Sequence, residues 1–227
     1  MTEGDQQQPG GSRTKGAQTL ARGLRVLKFV AAARDGVSIA QVAEFVQVHR
    51  SMAYRVLETL CDSGLVARLD DGRYHGAAGL LALARGGYSG LRQVALGPVQ
   101  AAADQLGVTV ALLVAEGPKG HESAVAVLVC APVTRGFHIT FTEGSTHPLD
   151  RGAAGRALSA LLAGGEVGDY YTTFGEVEPQ MHGLSVPLGL GPSAPAACLV
   201  VISQREVDPH ELVPVMKEAA ERIRAAG

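Results

Sequence analysis

The stretch SIAQVAEFVQVHRSMAYRVLETLCDSGLVARLDDGRY, residues 38–74, decides how this chain is read. Ser38 followed three residues later by Gln41 is a capping pair: the hydroxyl accepts from the open N–H groups of a first helical turn, and the amide reaches back. Ile39, Val42, Ala43 and Val46 recur at helical spacing and form the inner face of that helix. The turn Gln47-Val48-His49 is short enough to hold the next helix, Arg50 to Ser63, at a large crossing angle, and Gly64 ends it. On a wheel of about 100° per residue, Ala53, Val56, Leu57 and Leu60 gather on one side, with Ser51, Tyr54, Arg55, Glu58 and Asp62 opposite. Leu65 to Arg68 and Asp70-Asp71-Gly72-Arg73-Tyr74 predict two short strands around a tight turn. Upstream, Leu20, Leu24, Leu27 and Ala31, joined by Val30, predict the buried face of a helix from Thr19 to Arg34, closed by Asp35 and Gly36.

Helix, helix, turn, helix and ribbon in this order form a winged helix-turn-helix, which lays its last helix in the major groove of DNA. One face of Arg50–Ser63 then packs and the other reads. His49, Arg50, Ser51, Tyr54 and Arg55 are the candidate base contacts, because hydrogen-bonding groups and cations at the N-terminal end of such a helix meet base edges. Arg68 and Arg73 flank the ribbon and are candidates for phosphate. The competing reading is a small helical domain with a solvated polar face, serving dimerisation or another protein. Charge leans toward DNA: residues 1–87 carry 11 Lys or Arg against 8 Asp or Glu, and residues 88–227 carry 9 against 14. So small an excess implies few phosphate contacts and help from a dimer.

The 227 residues, 46% of them apolar, suffice for two cores without metal or disulfide staples, and with 4% aromatic residues and no Trp those cores fall to Leu, Val and Ala. Cys61, Cys130 and Cys198 lack the paired spacing of a zinc or redox motif and read as small thiols in a reducing compartment. The first 18 residues carry no apolar run, so they are read as a flexible tail, with Arg13 and Lys15 as an alternative basic arm. No window approaches the roughly 20 apolar residues of a membrane span, so no membrane partner and a cytoplasmic location are expected. The expected organisation is a tail over 1–18, the winged domain over 19–77, a linker helix over 78–90 and a rear domain over 91–227.

In the rear domain, a helix is predicted from Leu91 to Leu106, with strands at Thr109–Ala115, Ser123–Ala131 and Phe137–Thr142. A helix over Gly152–Ala163 follows, then strands at Leu184–Leu188 and Ala196–Ser203 joined by the turn-rich Gly189-Leu190-Gly191-Pro192-Ser193-Ala194-Pro195. Asp208 as N-cap, Pro209 at the first position and Glu211 as capping-box partner open a last helix, with Leu212, Val215, Met216, Ala219 and Ile223 as its stripe. A sheet with terminal helices on one side is α+β. The start of the helix at Gly152–Gly155 presents open N–H groups and a positive dipole end to a ligand carboxylate, or else Asp150 caps the same groups. No Gly-x-Ser-x-Gly elbow occurs, and the seven histidines (49, 75, 121, 138, 147, 182, 210) are scattered, so no catalytic residue, no metal and no cofactor is expected.

Gly23-Leu24-Arg25-Val26-Leu27, Ser38-Ile39-Ala40-Gln41-Val42-Ala43, Tyr54-Arg55-Val56-Leu57-Glu58-Thr59-Leu60 and Ser63-Gly64-Leu65-Val66 together resemble the N-terminal domain of IclR-type bacterial transcription regulators. Pro148-Leu149-Asp150-Arg151-Gly152-Ala153-Ala154-Gly155-Arg156-Ala157-Leu158 resembles the effector-domain motif of the same family, in which the place of Arg156 is more often lysine. The resemblance implies a GAF-like rear domain with an antiparallel sheet, a homodimer or tetramer on double-stranded operator DNA, and a small-molecule effector held in part by backbone groups at Ala153 and Ala154. The chain also departs from that pattern. The segment from Arg156 to Pro187 is much shorter than usual, Gly183 and Leu184 stand near the family's cysteine, and the last strand keeps at most Ser203 as a polar contact. Either the effector differs from a simple carboxylate, or ligand sensing has been lost and DNA binding remains.

Overall fold

The structure is a computed structural model that describes residues 15–133, 142–191 and 194–227. Two compact units divide between Gly87 and Tyr88. In the front unit, α1 (Lys15–Ala32), α2 (Ile39–Val46) and α3 (Arg50–Asp62) precede a ribbon of β1 (Val66–Arg68) and β2 (Tyr74–Gly76), and α4 (Gly79–Gly86) closes it. Both halves of the capping box form at α2: the Ser38 hydroxyl accepts from the Gln41 N–H at 3.3 Å, and the Gln41 amide oxygen accepts from the Ser38 N–H at 2.8 Å. Val42, Ala43 and Val46 of α2 pack with Ala53 and Leu57 of α3 and with Val26 and Val30 of α1. Tyr74, 2% exposed, fills the same core from the ribbon, and Val37 pairs with it through two backbone bonds of 2.8 Å.

The first helix differs from its sequence reading in position and rotation. It begins at Lys15, inside the segment read as a tail, and it buries Val26 and Val30 while Leu20 is 66% and Leu24 49% exposed and Ala31 faces outward. Two leucines four residues apart mark an apolar stripe, but the neighbouring helices decide which stripe is covered. Phe29 and Phe45 stack at 4.2 Å between ring centres, with Arg25 over the Phe45 ring at 5.6 Å. That stack joins α1 to α2.

In the rear unit, α5 (Ser89–Leu106), β3 (Val110–Glu116), β4 (Ser123–Cys130), β5 (Thr146–Pro148), α6 (Gly152–Ala163), β6 (Tyr171–Phe174), β7 (His182–Leu188), β8 (Ala197–Ser203) and α7 (Pro209–Ala226) follow in order. The sheet runs β5-β4-β3-β8-β7-β6 with every neighbouring pair antiparallel. Strand alternation divides its apolar residues between two layers. Val110, Leu112, Val114, Leu184, Val186, Leu199 and Val201 meet Ala95, Val99 and Ala103 of α5 and Leu212, Met216 and Ile223 of α7. Ala111, Leu113, Ala124, Ala126, Cys198 and Val200 meet Ala157 and Leu158 of α6 on the other face.

The edge strands β5 and β6 escape the sequence reading because they are three and four residues long and half exposed. Pro148 fits an edge, where a missing N–H breaks no ladder. The strand predicted at Phe137–Thr142 falls at 137–141 outside the described residues, as do Arg13 in the tail and Pro192 and Ser193 in the late connector. At α7, Asp208 caps through the His210 N–H at 2.8 Å. Its carboxylate serves the second helical position, so the predicted reciprocal box through Glu211 does not form, and the Glu211 N–H goes instead to the Asp208 carbonyl at 3.1 Å.

Helix α6 sits so close to β5 that a Cβ on Gly155 would lie 2.8 Å from the Leu149 carbonyl oxygen and 3.1 Å from that of Pro148. Both are backbone atoms, which cannot turn aside. Gly155→Ala should therefore destabilise the chain by about 1–3 kcal/mol through overpacking. Gly97→Ala on α5, where a Cβ meets nothing within 4 Å, should stabilise it by about 0.5–1 kcal/mol. Urea denaturation of the two variants beside the parent checks the opposite signs, and a neutral Gly155→Ala would show that α6 is not wedged.

Candidate functional site

The turn that aims α3 rests on Gln47, whose backbone is left-handed at φ 54° while its N–H bonds the Ala43 and Glu44 carbonyls. Val48 N–H then reaches the Ala43 carbonyl at 2.9 Å, so the chain reverses within one turn and α3 starts at Arg50. His49 is its N-cap, but the imidazole makes no capping bond. His49, Arg50, Ser51, Tyr54, Arg55, Arg68 and Arg73 are all exposed. Arg50, Ser51, Tyr54 and Arg55 line one open groove with Ser38, Ile39 and Ala40 of the α2 start and Gly72 of the ribbon turn. Four of the seven residues proposed from sequence are thus brought together in this groove.

Their charges are not equally available. Among the described residues, the Arg50 and Arg55 guanidinium groups make no ion pair or hydrogen bond. Tyr54 donates its hydroxyl to Glu58, one turn on, and that bond with the nearby carboxylate charge pushes the phenol up, keeping it protonated. The Arg68 guanidinium lies over the Tyr74 ring at 5.9 Å. Arg73 turns back into the domain: it lies 3.7 Å from the Asp71 carboxylate and donates to the Asp35 and Gly36 carbonyls, each at 3.4 Å. It braces the ribbon turn against the loop between α1 and α2. Of the two ribbon arginines, Arg68 is the one without a carboxylate partner among the described residues.

The rear unit holds a cavity of about 560 Å³ between α6, the sheet and the turn from β6 to β7. Leu113, Val200 and Ile202 form its floor, Gly152 to Gly155 one end, and Glu176 to Pro179 with Met181 its rim. Ala153 and Ala154 line it. Ser203 does not: by strand alternation it shares the face of Val201, toward α5 and α7, and its hydroxyl accepts from the Arg205 N–H at 3.0 Å. Ser185, unremarked in the sequence, is fully buried and donates to the Ala153 carbonyl at 2.7 Å, tying β7 to α6.

At the start of α6 the first N–H is taken by a side chain other than Asp150. The N-cap is Arg151, without a side-chain capping bond, and Glu176, from 24 residues downstream, accepts from the Gly152 N–H at 2.9 Å. The other oxygen of that carboxylate pairs with Arg156. The Gly152 N–H first, and Arg156 second, hold the Glu176 carboxyl below its usual range. Gly152 is required twice over, since its φ of +78° is left-handed and a Cβ there would lie 2.6 Å from Val177 Cγ2.

His147 of β5 faces the cavity half-buried, its Nε2 3.1 Å from the Ser145 hydroxyl. Burial lowers its pKa, and the Glu178 charge only partly opposes this. Burial likewise pushes up the thiols of Cys130 and Cys198, which stay protonated. Among the described residues, no three His, Cys, Asp or Glu side chains converge on a metal-sized site, and no helix is long and apolar enough to cross a membrane. The imidazole of His147 should titrate below its ordinary 6.5. Between 6.5 and that lower midpoint the unfolded chain binds a proton that the folded one resists, so this residue's contribution makes stability fall as pH drops through the window. NMR titration of its ring protons checks this, and a midpoint at or above 6.5 would contradict it.

The IclR helix-turn-helix domain matches residues 19–70. By sequence alone, no curated protein matches the chain. Its fold resembles a crystal structure of an IclR transcriptional regulator from Alicyclobacillus acidocaldarius, at TM-score 0.77 and 19% identity, covering 92% of this chain and 98% of that one. An IclR homolog from Microbacterium hydrocarbonoxydans, solved complexed with 4-hydroxybenzoate, superposes at TM-score 0.73 with 20% identity and the same coverage of both chains. The IclR of Thermotoga maritima does so at TM-score 0.67 with 19% identity, over 92% of this chain and 98% of that one. Residues 19–70 thus match the IclR helix-turn-helix domain, and the chain has the fold of solved IclR regulators over more than nine-tenths of its length.

Proposed function

We propose that this protein is a sequence-specific transcription regulator of the cytoplasm that binds double-stranded operator DNA as a homodimer and is modulated by a small molecule in the rear cavity. The observation that carries the proposal is the groove at the N-terminal end of α3. There Arg50, Ser51, Tyr54 and Arg55 stand exposed beside the ribbon turn, and neither arginine is spent on a protein partner among the described residues. Cations and hydroxyls at that end of a helix suit base edges in a major groove. Arg68 adds a charge at the ribbon for phosphate. The cavity at Ala153 and Ala154 supports ligand control, as does the solved IclR homolog complexed with 4-hydroxybenzoate.

The same geometry supports a homodimer. One helix of 13 residues reaches few bases, and a two-fold pair doubles the contacts on a palindromic site. The front unit also leaves apolar side chains uncovered, Leu20 and Leu24 on α1 and Leu81 and Leu83 on α4, the last two 71% and 64% exposed. A second copy of the chain is the cover that fits a symmetric reader.

In fluorescence anisotropy against its own upstream DNA and a scrambled duplex, Arg55→Ala should weaken specific binding by about 1–3 kcal/mol, whereas Arg68→Ala should lower the affinity for both duplexes and reduce the salt slope by about one. Equal weak binding of the parent chain to both duplexes would favour a protein-interaction role for the front unit. Sedimentation should show a dimer that Leu20→Glu with Leu24→Glu shifts toward monomer. A dimer unmoved by both changes would place the interface elsewhere.

A further inference from the structure

We infer that Glu176 is a built-in occupant of the anion position at the end of the rear cavity, so that the cavity takes a small ligand carrying no negative charge. This inference rests on the proposal that the cavity binds a ligand, and it names the ligand's class. A carboxylate entering at α6 would be recognised by two things, the open N–H at the helix start and a nearby cation. The first of these N–H groups and the nearby cation are already used here. One oxygen of Glu176 takes the Gly152 N–H at 2.9 Å, and the other takes the Arg156 guanidinium.

The rim adds to this. Glu178 lines the same cavity beside Glu176, and it and Arg151, the one lining Lys or Arg among the described residues, are both exposed. Like charges repel most strongly where water is partly excluded. Val177 lies against Gly152, which holds the turn that carries Glu176 over the helix start. What remains for a ligand is an apolar floor of Leu113, Val200 and Ile202 with a hydrogen-bonding group at Thr173. That lining suits an aromatic or aliphatic molecule bearing a hydroxyl or amide.

The test compares benzoate with benzamide, two probes of one shape and different charge. The full chain is labelled with ¹⁵N, and the amide signals of Gly152, Ala153 and Ala154 are followed during titration of the parent, Glu176→Ala and Glu176→Gln. The parent should bind benzamide at least about tenfold more tightly than benzoate, and Glu176→Ala should gain about tenfold or more for benzoate with little change for benzamide. Glu176→Gln keeps the shape and a carbonyl acceptor without the charge. It should also gain benzoate affinity, and it stands in if the alanine variant unfolds. A parent that binds benzoate as tightly as benzamide, or variants that gain nothing, would overturn the inference. So would silence of all three amides toward both probes in every form. Operator binding by the same samples is read separately: a chain that binds DNA but fails these titrations loses this inference alone, and one that passes them without binding DNA loses only the DNA-reading proposal.

Discussion

Backbone pairing between β3 and β8 places Val110–Val114 and Ala197–Val201 at the middle of the rear sheet, where both faces are covered. Every side chain in those two stretches is 2% exposed or less. Full burial on both faces commits the strands to aliphatic residues, and fully burying one such side chain contributes about 1.5–3 kcal/mol against leaving it exposed. It also moves the chemistry outward. Polar residues that line the cavity come from edge strands β5 and β6 and the stretch before β5, from the start of α6, from the turn after β6, and from His182 and Gln204 at the ends of β7 and β8, while the central strands provide floor. The layer of α5 and α7 leaves the opposite face to α6 alone, and the space that α6 does not fill is the cavity.

That face is shaped by small residues. Gly155 lets α6 approach the carbonyls of Pro148 and Leu149, Gly183 sits against Ala153, and Ser185 ties the Ala153 carbonyl to β7. The helix start is held from three sides, so its first N–H has a defined direction, and Glu176 meets it. A buried helix end needs a partner for its open N–H groups. Here the partner is supplied from within the chain, by a short turn that also forms the rim of the cavity.

The front unit solves a different problem, keeping cations exposed on a small frame. Tyr74 serves the core with its ring, the ribbon with its backbone and Arg68 with its π face. Arg73 is turned inward to brace the ribbon turn, while Arg50 and Arg55 remain outside. The polar row of α3 therefore combines two guanidinium groups without a partner among the described residues with a Tyr54–Glu58 pair that reduces the net charge of the surface. The proposed DNA-reading role would then rest on shape and on a second copy more than on bulk charge.

Helices with strong local signals were legible in the sequence. The capping box at Ser38, the polar row of α3, the bounds of α6 at Gly152 and Ala163 and the buried stripe of α7 all follow from residues within a few turns of one another. The central strands were legible as aliphatic runs, and Ala153 and Ala154 as cavity residues through the resemblance of their motif. Tertiary packing alone decided that Val26 joins Val30 in the core while Leu20 and Leu24 stay exposed, that β5 and β6 extend the sheet at its edges, and that Ser203 points away from the cavity. It also decided that Glu176 closes the start of α6 and that Arg73 turns inward. The physical reason is range: periodicity and capping are set by neighbours three or four residues apart, whereas the 24-residue reach from Glu176 to Gly152 and the 38-residue reach from Arg73 to Asp35 exist only once the chain has folded.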